Sequence, residues 1–164
     1  MFFNNKQDSN FEKHDIFDKE SNKSFFAITE QKSNGGNTFL SLELFAEVKE
    51  LFGKFERAVI CDKNSYISDL TTIQRTMQKI NEQHNDYLVL IDDSGNQLHL
   101  TGCKSGYTGT GARGTFELLA DLGFDIDMRF IITAHVFDIR LSEYYKEKYS
   151  RIAERDKERF LKKS

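Results

Sequence analysis

The chain has no proline and no tryptophan among its 164 residues, and only two cysteines. Without proline, every turn must be built from Gly, Asn, Asp or Ser. Cys61 and Cys103 lack the close spacing of a disulfide framework or a thiolate metal site, so a reducing cytoplasm is the expected compartment. No apolar run approaches the roughly 20 residues that span a bilayer, which argues against a membrane protein. Met1 to Lys6 lack the charged and then apolar pattern of a secretory leader. A formal net charge of −3 argues against general nucleic-acid binding.

What is present suits a globular domain. Hydrophobic residues make up 38% and charged residues 30%, and fifteen Phe supply much of the core-forming surface. Charge is uneven: Arg140 to Ser164 carries nine Lys/Arg against five Asp/Glu, or +4, leaving −7 on the rest.

Residues 1–23 are polar with scattered Phe and read as a loose N-terminal arm, ahead of one α+β domain over 24–152 and a charged helix end over 153–164. Ser24 to Thr29 reads as a strand, and Ser33 to Asn37 as a turn. Phe45, Val48, Leu51, Phe52 and Phe55 recur at helical spacing. Ala58 to Cys61 reads as a short strand. Ser68 suits a helix cap before the stripe Leu70, Ile73, Met77 and Ile80. Tyr87 to Ile91 and Gln97 to Thr101 flank Asp92-Asp93-Ser94-Gly95-Asn96 and predict a hairpin.

A helix is expected from about Arg113 to Leu122, closed by Gly123. Met128 to Ala134 reads as a buried strand. From Leu141 a helix is expected to carry Tyr145, Tyr149 and Ile152 on one face before projecting into solvent. Strands and helices alternate without a βαβ rhythm, which predicts a mixed or mostly antiparallel sheet with packed helices.

The most informative segment is Gly102 to Thr115, which holds half of the ten glycines. It joins a strand-like run to a helix-like run, the setting in which backbone N–H groups and a guanidinium cradle an anion. Lys104, Ser105, Gly106, Tyr107, Thr108, Gly109, Thr110, Gly111, Arg113, Gly114 and Thr115 are the candidate ligand-binding residues. A nucleotide or another phosphate-bearing molecule is the candidate ligand, with Tyr107 able to stack on a base. Positive φ is expected at Gly109 or Gly111 unless their backbone faces the ligand.

Gly109 to Gly114 has the G-x-G-x-x-G spacing of dinucleotide-binding loops, with Asp138 as the candidate ribose acid. The preceding strand ends too early for that fold, however. Gly106 and Gly111 are spaced as in a nucleotide-hydrolase loop, but Ala112 and Arg113 occupy the places of its Lys and Ser/Thr. The competing reading is a tight connection whose glycines serve turns alone.

Cys103 with His99 or His135 is the candidate nucleophile pair for an enzyme. Asp92 and Asp93, with Asp62 or Asp125, have the chemistry of a metal site, but a hairpin turn accounts for them without one. The leading expectation is therefore a non-catalytic cytoplasmic binding protein. The alternatives are an inhibitor or immunity-type protein acting by contact, with the C-terminal helix docking a partner or a second copy, and a Cys/His enzyme.

Overall fold

The computed structural model describes residues 11–31, 35–61, 71–80 and 86–142. In chain order they form β1 (Phe11–Asp18), β2 (Lys23–Glu30), α1 (Thr38–Val48, extended by a 3-10 turn at Lys49–Leu51) and β3 (Phe55–Ile60). Then come α2 (Thr71–Ile80), β4 (Leu88–Asp92), β5 (Gln97–Leu100), α3 (Thr110–Asp121), α4 (Met128–Thr133) and β6 (Phe137–Arg140).

All six strands lie in one mixed sheet of order β1-β2-β5-β4-β3-β6. β2 and β5 run parallel, and every other neighbouring pair is antiparallel. The α+β architecture expected from the sequence is the one observed.

Alternation along the strands sorts side chains onto two faces. Ile28, Ala58, Ile60, Leu88, Leu90, Leu98 and Leu100 form the floor of the main core, which α1, α3 and α4 roof with Leu44, Val48, Leu118, Leu119 and Ile131. At about 1.5–3 kcal/mol for each large aliphatic side chain taken from water, this layer is the principal stabilising element. The opposite face packs Val59, Cys61, Tyr87 and Val89 against Ile73 and Met77 of α2. Of the stripe predicted for α2, Ile73 and Met77 are buried and Ile80 is half-buried, while Leu70 lies outside the described residues.

The hairpin between β4 and β5 is tied by Asp92. Its carboxylate accepts from the N–H groups of Gly53 (2.9 Å), Ser94 (3.0 Å) and Asn96 (2.8 Å). Gly123 follows α3 with φ +93°, the helix-ending conformation expected of it.

Three expectations need correction. Residues 11–18 of the supposed loose arm are a strand paired along its whole length with β2, and Ile16 and Asp18 are buried. The bidentate grip of Arg75 on Asp18 (2.7 and 2.8 Å) holds this hairpin to α2. Second, Met128–Thr133 is helical and not a strand: Asp127 accepts from the N–H of Phe130 at 3.0 Å and starts a helical turn that buries Ile131. The strand comes one element later, where Phe137 and Ile139 alternate with Asp138 and Arg140. Third, the helix expected through Phe55 stops at Val48, and Phe52 and Phe55 reach the core from the turn and strand beyond it.

The Ser68 cap, residues 1–10 of the arm, and the C-terminal helix beyond Ser142, with Tyr145, Tyr149 and Ile152, lie outside the described residues. Among the described residues no helix is long and apolar enough to cross a membrane.

Candidate functional site

The glycine-rich segment leaves β5 and is anchored at once by a buried carboxylate. Glu30, at the end of β2, accepts from the Thr101 hydroxyl (3.0 Å), the Thr101 N–H and the Ser41 hydroxyl of α1. Ser41 Oγ accepts in turn from the N–H of Gly102 (2.9 Å), and the Thr38 hydroxyl donates to the Gly102 carbonyl (2.7 Å). Burial pushes the Glu30 carboxyl above its ordinary range, and these donors pull it partly back. Gly102 is required here by close approach, since a Cβ would collide with the Asn37–Thr38 backbone.

Beyond this anchor the chain turns through Gly106, whose φ is +85° and whose N–H donates to the Ile131 carbonyl at 2.8 Å. Positive φ, expected at Gly109 or Gly111, therefore falls on Gly106. The reason is that the reversal in the loop is made where it meets the end of α4, beside the exposed His135. Gly109 is extended, with φ 170°, and stands at the N-cap of α3.

Tyr107, 46% exposed, lies along that helix start. A Cβ on Gly109 would fall 2.6 Å from its ring, and one on Gly111 would fall 2.5 Å from its hydroxyl. Gly114, one turn on, lets Thr38 and Leu42 of α1 approach α3. Thus the G-x-G-x-x-G spacing serves the Tyr107 ring and a helix–helix contact. Asp138, the candidate ribose acid, is held by Arg57 (2.8 and 2.7 Å) on β3.

The charged and hydroxyl candidates divide. Arg113, Thr108 and Thr110 are exposed around the helix start. Lys104 is turned away to Asp86 (2.9 Å), while the Thr115 hydroxyl is buried and donates to the Gly111 carbonyl at 3.0 Å. Ser105 reaches the His135 carbonyl at 3.5 Å. The first turn of α3 has no acidic residue, and its N-cap supplies no side-chain acceptor. The partial positive charge of the helix start is therefore uncompensated by side chains.

Cys103, His99 and His135 are not brought together. Cys103 is fully buried in the main core, and burial pushes its thiol up to about 12, which disfavours the thiolate a nucleophile needs. His99 points to the other face of the sheet. There its ring is bonded to the Tyr87 hydroxyl (2.8 Å) and to Gln97 (2.8 Å), and burial lowers its pKa to about 3. Gln97 Oε1 can only accept, so Nε2 carries the proton and Nδ1 accepts from Tyr87.

Glu30, Ser41 and Thr38, which position the loop, escaped sequence reasoning. The one available signal was an acid closing the apolar run Phe25 to Thr29. No family model matches the chain, and neither does any curated protein or solved structure.

Proposed function

We propose that the chain is a small cytoplasmic binding protein that takes a phosphate-bearing molecule, a nucleotide or nucleotide-derived signal, at the start of α3 without turning it over. The observation that carries this reading is a contrast between helix starts. Asn37 caps α1 and Asp127 caps α4 through their side chains, whereas α3 begins on a glycine with no side-chain acceptor. Its first N–H groups, the exposed Arg113, and the hydroxyls of Thr108 and Thr110 match the acceptors of a phosphate. Tyr107 supplies an aromatic face for a base.

Mass spectrometry of small molecules released from the heated protein should find a nucleotide, and calorimetry with that compound should give a saturable isotherm. Arg113→Ala should weaken binding by about 1.5–3 kcal/mol, the range for a hydrogen bond to a charged group, with the melting temperature unchanged. Equal affinity of variant and parent would remove Arg113 from the site.

A second reading, an inhibitor acting by protein contact, is favoured by Phe39. This side chain, 68% exposed in the first turn of α1, follows Thr38, which packs on Gly114 of α3. A stable complex recovered from the source cell and lost in Phe39→Ser would support it.

A further inference from the structure

Among the described strands β1 lies at one edge of the sheet, with β2 on its inner side. Open edges are usually guarded by charge, and β1 carries Glu12, Lys13 and Asp15 exposed. The order of these residues decides what the edge can accept. Phe11, Lys13, Asp15 and Phe17 share the face of the sheet that also bears Phe26, over whose ring the Lys13 ammonium sits at 4.8 Å. Read backwards, the series is Phe, Asp, Lys, Phe. It is its own complement.

We infer that β1 is a self-association edge, where a second copy of this chain adds its own β1 antiparallel about a two-fold axis normal to the sheet and passing beside His14. In that register Lys13 faces Asp15 of the other copy, Asp15 faces Lys13, and Phe11 faces Phe17. Cross-strand pairs of opposite charge and of aromatic rings are the stabilising units of an antiparallel sheet.

The backbone permits this register. Residues pair with residues of the same parity, so groups that point outward meet groups that point outward. A shift by one pair in one direction sets Lys13 against Lys13, and in the other Asp15 against Asp15. Like charges directly opposite oppose both. The charges that guard the edge against other strands thereby select its own copy.

On the other face of β1 the same register sets His14 against His14 and the exposed Glu12 against Ile16. Phe17, 50% exposed in the single chain, gains an aromatic neighbour. On the other face α2 is held near Asp18 by Arg75, toward one end of β1, so the two copies of α2 sit at opposite ends of the joined strands. β6, the other edge, has four residues to the eight of β1, and its Asp138 is already engaged by Arg57.

The test is sedimentation equilibrium on the full chain, with circular dichroism to confirm that each variant is folded. The parent should dimerise in a concentration-dependent way, and hydrogen exchange in residues 11–18 should slow as concentration rises. Lys13→Asp alone and Asp15→Lys alone should each weaken self-association by about tenfold or more, because both copies then present matching charges. An equimolar mixture of the two variants should recover dimers, since every facing pair is again opposite in sign.

A parent that stays monomeric at high concentration would overturn the inference. So would single variants that dimerise as well as the parent, or a mixture no more dimeric than its components. Should a variant fail to fold, the exchange measurement on the parent still decides, because protection that does not depend on concentration refutes the edge contact.

Discussion

α1 and α3 start side by side where β5 ends, yet the two starts are built differently. At α1 the Asn37 side chain accepts from the N–H of Leu40 at 2.9 Å, Thr38 donates to Gly102, and Ser41 joins the Glu30 carboxylate. At α3 a glycine holds the cap position, no acid follows, and the nearest side chain is the half-exposed Tyr107 ring. One start is closed by its own side chains; the other has no side-chain cap, with Thr110 exposed and Gly111 and Ala112 buried behind it. The comparison separates a helix start whose polar groups are tied into the fold from one that no side chain caps.

The largest expected effect breaks the closed side. Glu30→Ala should destabilise the fold by about 4 kcal/mol in urea melts, because the buried donors of Thr101 and Ser41 lose their acceptor together. Glu30→Gln keeps an acceptor and should cost far less.

The Glu30 anchor also separates by pH from the Asp18 ion pair on β1. Burial holds the folded pKa of Glu30 above its unfolded value of 4.5. Its contribution is thus fully present below that value and declines as pH rises through the folded pKa. Asp18 is held well below its ordinary 3.8 by Arg75 and Ser21, so its contribution is present above that value and fades as pH falls. Melting temperature against pH should lose its high-pH decline in Glu30→Gln and its acid-side decline in Asp18→Asn.

A smaller effect is expected from Asn37→Ala, which removes the α1 cap and should cost about 1 kcal/mol without changing ligand affinity. The smallest change in stability should come from Gly109→Asp. It adds a cap worth a few tenths of a kcal/mol at α3 and displaces the exposed Tyr107 ring. Its carboxylate would occupy the helix start, so phosphate binding should vanish in calorimetry while the melt hardly moves. Retained binding would place the ligand elsewhere.

Legibility in the sequence followed the range of the interactions involved. The β4–β5 hairpin was readable because Asp92 and Gly95 act within a few residues of each other. The α2 stripe and the end of α3 were readable for the same reason. β1 was missed because half of its residues face solvent as an edge strand, so its polar composition resembled a loose arm. The Met128 run was misread because its β-branched residues favour a strand in isolation, while the Asp127 cap and the burial of Ile131 favour a helix in place.

Within the candidate site, Arg113, Tyr107 and the hydroxyls were named from composition. Which of them face the helix start was not readable, and neither was the fact that Lys104 turns to Asp86.

By itself the sequence determined the α+β class and the position of the glycine-rich turn between a strand and a helix. Periodicity and turn chemistry are encoded over a few neighbouring residues. Only the tertiary structure decided that Glu30 anchors that turn, that Cys103 and His99 lie on opposite faces of the sheet, and that Lys13 and Asp15 stand on the edge strand of the described sheet. Each depends on strands far apart in the chain meeting in one register, and a sheet's register is set by the packing of its two faces as a whole.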